Sequence, residues 1–170
     1  EVEKAKAGLQ ATLIIRHPEN NKLYVNFDAE ILTLIREAKC LSRIGIDIPE
    51  SAKIVLLQED KFKMYNNELQ FVLREYDRIV NKIRPNTKSL LVPHLEDLEY
   101  KLRPGMVTLT WTSMNIDGYL QHVHQGLAKL EQLIININDI MENRIENNLK
   151  SHSKTVLVNL PQDAQTFTLD

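Results

Sequence analysis

Apolar residues alternate with polar ones near the start of the chain and then follow helical spacing over most of its length. Residues 9–27 fit a β-hairpin, because every second position is apolar on both sides of a turn at residues 17–21, His-Pro-Glu-Asn-Asn. The alternating positions are Leu9, Ala11, Leu13 and Ile15 before the turn and Leu23, Val25 and Phe27 after it. The pattern therefore predicts a short hairpin that leads into helices.

The first predicted helix begins after Asp28, because a carboxylate at this position caps free backbone N–H groups. Its apolar stripe has three- and four-residue spacing, and Gly45 is placed to end the helix. The stripe consists of Ile31, Leu34, Ile35, Ala38 and Leu41. Cys40 lies next to this stripe, and we expect it to be a small packing residue. A single cysteine excludes an internal disulfide and favours a reducing compartment.

Two further helices are expected between Pro49 and Pro104-Gly105. Pro49 suits the first position of a helix that runs to about Arg84. Its stripe consists of Phe62, Tyr65, Leu69, Val72, Tyr76, Ile79 and Ile83. A third helix should carry Pro93 in its first turn or at a kink, and Pro104-Gly105 is expected to end it. Its stripe consists of Leu91, Leu95, Leu98 and Leu102.

The longest regular pattern lies in the last predicted helix, which begins near Ser113 or Asn115. Its seam consists of Ile116, Leu120, Val123, Leu127, Leu130, Ile134, Ile137 and Met141. We interpret the seam as a packing surface or a partner-binding surface, and the sequence leaves both open. A helix that reached Lys150 would be about 50 Å long at roughly 1.5 Å per residue. The predicted fold is therefore mainly α, an elongated helical bundle with long amphipathic helices and a short N-terminal β-hairpin.

Three regions follow from these elements. Residues 1–27 form an N-terminal lead and the hairpin, residues 28–150 form the helical bundle, and residues 151–170 hold a short strand and the start of a truncated element. The strand is expected from Thr155 to Leu160, and the truncated element at residues 166–170. The first residue is not Met, so we expect a piece of a longer protein.

Composition excludes several classes of function. Lys and Arg number 21 against 23 Asp and Glu, which leaves no basic surface for nucleic acid or anionic lipid. No stretch approaches the roughly 18 consecutive apolar residues of a membrane span. The glycines form neither a phosphate-binding loop nor a dinucleotide motif. We therefore predict no cofactor, no metal and no catalytic residue in this chain.

Few residues suggest chemistry, and each has a simpler interpretation. His122 and His124 have a ligand-like spacing, but on a helix they would point about 200° apart, on either side of a buried Val123. The acidic cluster of Glu96, Asp97 and Glu99 fits exposed ion pairs of Asp97 with Lys101 and of Glu99 with Arg103. Trp111 could be a partner-facing anchor, but we expect it to lie in the core.

Two blocks of sequence resemble signatures of the dynein heavy-chain tail. The first signature is Val25-Asn26-Phe27-Asp28 followed by residues 34–39, Leu-Ile-Arg-Glu-Ala-Lys, with Leu41, Gly45, Ile48-Pro49-Glu50 and Ala52 in the expected order. The second signature comprises Leu102-Arg103-Pro104-Gly105, then residues 109–113, Leu-Thr-Trp-Thr-Ser, and Asn115-Ile116-Asp117. The resemblance covers roughly residues 9–130. The residues of these two blocks resemble those of axonemal, outer-arm heavy chains more than those of cytoplasmic heavy chains.

This resemblance implies a structural segment of a dynein tail, whose motor ATPase and microtubule-binding parts lie elsewhere in the parent protein. The implied partners are other regions of the same heavy chain, another dynein heavy chain and intermediate chains, and the implied location is the cytoskeleton of a cilium or flagellum. One alternative is an unrelated coiled-coil tether or bundle adaptor. Another is a small metal-dependent hydrolase that uses His122, His124 and the acids from Glu96 to Glu99.

Overall fold

The structure, a computed structural model, describes residues 7–155. Of these, 74% are helical, and a short antiparallel hairpin lies near the N-terminus. This confirms the mainly α class with long amphipathic helices. The truncated element predicted at residues 166–170 lies outside the described residues. The strand predicted from Thr155 to Leu160 also lies outside them, apart from Thr155 itself. None of the helices within the described residues combines the length and hydrophobicity of a membrane span.

The elements follow one another with short connections. In chain order they are β1 (Ile14–Arg16), β2 (Leu23–Val25), α1 (Ala29–Arg43), α2 (Glu50–Leu57), α3 (Glu59–Asn81), a 3-10 turn (Pro85–Thr87), α4 (Lys88–Val107), α5 (Ile116–Asp139), a π-helical segment (Ile140–Glu146) and α6 (Asn147–His152). Contacts divide the chain into two compact units, Glu1–Gln132 and Leu133–Asp170. The regions predicted with boundaries at residues 27 and 150 stay a prediction.

The hairpin is shorter than the alternating pattern indicated. β1 and β2 pair with Ile15 opposite Tyr24, and both of these side chains are exposed. Leu9 lies in a helical turn at residues 7–10 rather than in a strand. Leu13 and Ile14 are both fully buried, so the prediction that Ile15 continues the inward-facing row is wrong. A shift of one residue turns a strand side chain to the opposite face of the sheet.

Helix α1 begins and ends as expected. The Asp28 carboxylate accepts a hydrogen bond of 2.9 Å from the backbone N–H of Glu30. At the other end Gly45 has φ of 76°, and the N–H of Ile46 reaches back to the carbonyl of Leu41 over 3.0 Å. This is the left-handed termination that glycine makes possible. The buried residues are Ile31, Leu34, Ile35 and Ala38.

Two details of α1 contradict the prediction. Leu41, assigned to the buried stripe, is exposed. Cys40 is exposed as well and is therefore not a packing residue. Ala38 packs in a small cluster with Ile48 and Ala52, whereas Leu41, about one turn later, lies outside this cluster and is exposed.

The single helix predicted from Pro49 to Arg84 is in fact two helices. Pro49 precedes α2, and the chain breaks at Gln58, whose φ of −101° and ψ of 9° depart from helical values. Its N–H bonds to the carbonyl of Val55, while its own carbonyl accepts the N–H of Phe62 and starts α3. Glu59, directly after the break, is buried and pairs with Lys39 and Lys63. The periodicity of the apolar residues alone did not reveal this tertiary contact.

Helix α4 passes through Pro104-Gly105, which were expected to end it, and continues to Val107. The N–H groups of both Thr108 and Leu109 reach the carbonyl of Pro104, so the helix closes after the proline. Gly105 is buried against Tyr119, whose hydroxyl donates to the carbonyl of Leu102 over 3.2 Å. A Cβ at residue 105 would lie 2.3 Å from the Tyr119 hydroxyl oxygen. Gly105 therefore permits close helix packing rather than a helix stop.

We expect Gly105→Ala to lower the free energy of unfolding by about 1 to 3 kcal/mol, because overpacking outweighs the gain in helix propensity. Thermal and urea denaturation would measure this change. Adding Tyr119→Phe should recover part of the loss, because it removes the nearest clashing atom. Gly118→Ala is the matched control, since its closest neighbour is the side chain of the exposed Asn115. A stability equal to wild type in Gly105→Ala would contradict the packing role.

Candidate functional site

The start of the hairpin is joined to the connection between α4 and α5. The backbone N–H of Leu13 donates to the carbonyl of Leu109 over 3.1 Å, and Thr12 forms an antiparallel bridge with Thr110. The carbonyl of Leu13 in turn accepts the N–H of Asn26 over 2.9 Å. The extended connection therefore lies beside the hairpin as a further short strand segment.

Trp111 lies at the centre of this contact and is only 1% exposed. Its indole N–H donates to the carbonyl of Asn26 over 2.7 Å, a bond between residues 85 positions apart. The ring of Phe27 meets the indole edge to face with centroids 4.7 Å apart, an arrangement that aromatic pairs favour. The prediction that Trp111 lies in the core is confirmed.

The two sequence signatures thus meet in space. Residues 25–28 of the first contact residues 109–113 of the second through Trp111, and we call this contact the signature junction. Ser113 supports it, because its hydroxyl accepts the N–H of Thr110 over 2.9 Å and fixes the turn before α5. Helix α5 then begins at Ile116, directly after Asn115, as expected. The contacts of the junction described above serve packing and backbone geometry.

A second contact ties β1, α3 and α4 together. The Glu99 carboxylate accepts hydrogen bonds from the Arg16 guanidinium over 2.5 Å and from the Tyr76 hydroxyl over 2.6 Å. Burial, and then the hydrogen bond to Glu99, raise the pKa of Tyr76. The predicted pair of Glu99 with Arg103 is therefore wrong, because a partner from another element has taken the carboxylate. The predicted pair of Asp97 with Lys101 is confirmed.

Two more polar contacts connect α3 with α5. The Tyr65 hydroxyl donates to Asp117 over 2.8 Å, and burial together with this bond raises the pKa of Tyr65 to about 12. Farther along, the Arg78 guanidinium binds both carboxylate oxygens of Glu131, over 2.7 and 3.0 Å, and Lys82 adds a third bond over 3.1 Å. These bonds lower the pKa of Glu131 to about 2.

The Glu131 contact predicts a specific loss of stability in acid. Above the ordinary value of 4.5 the carboxyl is ionised in both folded and unfolded chains, so its contribution to stability is complete. Between about 4.5 and about 2 only the folded state keeps the charge, so the contribution falls with pH. We therefore expect the difference in Tm between wild type and Glu131→Gln to be largest near neutral pH and to close across that range.

Thermal unfolding at a series of pH values measures this difference. Glu37→Gln, which alters an exposed carboxyl on α1, is the control and should show a Tm difference that does not vary with pH. A Tm difference between wild type and Glu131→Gln that stays constant down to about pH 2 would show that the ionised Glu131 carboxylate does not stabilise the fold.

The predicted seam of the long helix lies mostly inside the protein. Its six buried residues are Ile116, Leu120, Val123, Leu127, Leu130 and Ile134, and the remaining two, Ile137 and Met141, are partly buried. Off the seam, Gln125 and Lys129 are exposed. Whether the seam also receives a partner stays a prediction.

The residues considered for metal chemistry do not come together. The His122 ring contacts the carbonyl of Gly118 over 2.8 Å, while His124 lies 3.4 Å from Glu68. Val123 between them is fully buried, as expected. Glu99 and Asp97 are bonded to cations, as described above. Within residues 7–155, no three His, Cys, Asp or Glu side chains are grouped so that they could hold a metal ion.

A family model described as dynein heavy chain, N-terminal region 1, matches residues 1–119. The chain belongs to this dynein heavy-chain family. The dynein gamma chain of the flagellar outer arm of Chlamydomonas reinhardtii is 48% identical over 99% of this chain and 4% of its own length. Dynein axonemal heavy chain 8 of Homo sapiens is 39% identical over 100% of this chain, and dynein axonemal heavy chain 5 of Mus musculus is 38% identical over 96%, each over 4% of its own length.

These relatives confirm the resemblance to axonemal heavy chains, with an outer-arm chain among them. This dynein heavy-chain segment spans only 4% of each of the three relatives. The matched region includes both parts of the signature junction, residues 25–28 and residues 109–113. The residues that carried the resemblance therefore include those that hold the hairpin against the connection between α4 and α5.

Proposed function

We propose that this segment is a structural part of the tail of an axonemal dynein heavy chain. It supports heavy-chain association, intermediate-chain docking and attachment of the motor in cilia or flagella, and it lies in the cytoskeleton of the axoneme. The observation that carries the proposal is the signature junction. There Trp111 and its neighbours join distant parts of the chain through packing and backbone hydrogen bonds, which is what a scaffold requires.

The polar contacts support the same role. Glu99 is held by β1 and α3, and Glu131 on α5 is held by α3, so each carboxylate fixes the position of one element against another. Charge-assisted bonds of this kind are stronger and more directional than neutral ones. A segment that must keep its helices aligned within a very large protein benefits from such bonds.

The segment itself is proposed not to turn over nucleotide. Its sequence has no glycine-rich phosphate loop of the kind that cradles ATP. The motor activity is proposed to lie elsewhere in the parent chain. A purified segment that hydrolysed ATP above the blank rate would contradict this part of the proposal.

The assembly role can be tested in the full heavy chain of a flagellated cell. A Trp111→Ala chain should fail to incorporate into axonemes, because the junction no longer holds. Met114→Ala is the matched control, since Met114 is 95% exposed and lies three residues away. Electron microscopy would count the arms, and an ATPase assay of the motor part would show that it remains intact. A normal number of arms in Trp111→Ala axonemes would count against the scaffold role.

A further inference from the structure

One edge of the hairpin carries backbone groups that have no partner within residues 7–155. In an antiparallel pair, hydrogen-bonded positions alternate with non-bonded ones. The carbonyl of Lys22 and the N–H of Asn26 each bond to the residue that flanks β1 at that end. Tyr24, midway between them, therefore also turns its N–H and C=O towards β1, whereas those of Leu23 and Val25 point away from it. We call the backbone groups of Leu23 and Val25 the β2 edge.

A depression of about 360 Å³ lies beside the β2 edge. It is lined by the three residues of β2 and, from α3, by Gln70, Leu73, Arg74 and Asp77. Leu73 is buried, whereas the other three are exposed and recur at four- and three-residue spacing, so they form one ridge along the helix. The depression therefore has the backbone of a strand on one side and a polar helix ridge on the other.

The β2 edge is complementary to the backbone of another strand. Its N–H and C=O groups recur at every second residue, a repeat of about 7 Å that extended backbone also has. A helix could not supply these bonds, because its backbone groups bond to one another. Antiparallel pairing is the more stable arrangement per residue, and β1 and β2 already use it. The occupant that fits is therefore an extended peptide that runs antiparallel to β2.

The ridge of α3 indicates which side chains such a peptide would carry. Arg74 donates through Nε to the carbonyl of Gln70 over 3.3 Å, and neither Arg74 nor Asp77 makes an ion pair among the described residues. Residues three apart on a helix are about 5 to 6 Å apart, close to the spacing of alternate side chains on a strand. An acidic and a basic residue at alternate positions can therefore reach both. The residue between them would lie beside Tyr24, whose exposed ring favours a β-branched neighbour.

We propose that the β2 edge is a docking site for an extended segment of another protein, which adds an antiparallel strand to β2. The segment carries an acidic and a basic residue that face α3 and a β-branched residue that faces Tyr24. Backbone bonds hold it, and the side chains select it. β2 is three residues long, so the contact is small and belongs to the weak class of interfaces. The site goes beyond the assembly role proposed above and does not depend on it.

The experiment is an NMR titration of the 170-residue chain with the end-blocked peptide Val-Glu-Val-Lys-Val. Its central Val is placed opposite Tyr24, and its Glu and Lys face α3. At saturation, hydrogen exchange of the Leu23 and Val25 amides should slow by about tenfold or more, because both become hydrogen-bonded. The Tyr24 amide, which already faces β1, should change little.

Modified peptides test the backbone bonds on the unaltered chain. N-methylation of the Glu and Lys of the peptide removes the donors that face β2 and should weaken binding by about tenfold or more. N-methylation of the central Val, whose N–H points away from β2, is the matched control and should leave binding near the level of the unmodified peptide. Equal binding of the two methylated peptides would overturn the proposal.

Variants of the chain test the site from the other side. Val25→Pro removes an N–H of the β2 edge but no bond to β1, a position at which edge strands tolerate proline. It should weaken binding by about tenfold or more, whereas Val25→Thr keeps the N–H and should bind like the wild type. Arg74→Glu should weaken binding by about threefold or more, because two acidic side chains then meet a peptide with a single basic one. Circular dichroism verifies that each variant keeps its fold.

The wild-type chain gives the decisive results. Unchanged exchange of the Leu23 and Val25 amides at millimolar peptide overturns the proposal. Slow exchange of both amides without peptide would mean that this chain or a second copy fills the edge, and it overturns the proposal as well. None of these results affects the test of the arm-assembly role, which uses Trp111 rather than the β2 edge.

Discussion

Replacing Trp111 with Ala is expected to lower the free energy of unfolding by about 3 to 5 kcal/mol. The indole is 1% exposed, so its removal leaves a cavity that the backbone bonds around it prevent from closing. The change also leaves the carbonyl of Asn26 without the hydrogen bond that the indole N–H donates. For a segment of ordinary stability, a loss of this size removes a large part of the total.

Trp111→Phe separates the two causes. Phe keeps most of the apolar volume but donates no hydrogen bond. The decrease in the free energy of unfolding in Trp111→Phe should therefore be well below that in Trp111→Ala, and should report mainly the unsatisfied carbonyl of Asn26, about 1 to 3 kcal/mol. Urea denaturation measures all variants, with Met114→Ala as the control that should change stability by no more than about 0.5 kcal/mol. If Trp111→Ala and Met114→Ala were equally stable, the junction could not be a structural centre of the fold.

The second large effect is expected at the seam of α5. Leu130→Ala should lower the free energy of unfolding by about 2 to 5 kcal/mol, because the side chain is 2% exposed and its removal leaves a cavity in a packed helix face. Lys129→Ala, at the neighbouring exposed position, should change stability by no more than about 0.5 kcal/mol. Thermal and urea unfolding of the pair provide the measurement.

The same pair of variants tests what the seam does. A large loss at Leu130 with little change at Lys129 would show that the seam is filled within this chain. If instead Leu130→Ala kept the wild-type Tm and lost binding to a neighbouring tail segment or an intermediate chain, the seam would be a docking surface. Small and equal effects at both positions would exclude burial.

Much of the fold could be predicted from local pattern. Asp28 and Gly45 mark the ends of α1, because capping and left-handed termination depend on the residue type at one position. The long seam from Ile116 was also evident, since helical periodicity repeats over many turns and averages out single exceptions. The placement of Trp111 in the core followed from its size and apolar surroundings.

The misplaced boundaries have a common cause. The break at Gln58, the passage of α4 through Gly105 and the exposure of Cys40 each depend on which other element lies alongside. Gly105 resembles a helix stop in sequence, whereas in the structure its missing side chain makes room for Tyr119. A residue-by-residue pattern contains no information about such a neighbour.

The sequence by itself determined the class of fold, the helix ends with strong caps, and the family, because these depend on residue types and their order along the chain. Only the tertiary structure decided that the two signatures meet at Trp111 and that Glu99 pairs with Arg16 rather than Arg103. The physical reason is that a side chain bonds to the best-placed partner in space. A partner 83 positions away in sequence can therefore displace one that lies a single helical turn away.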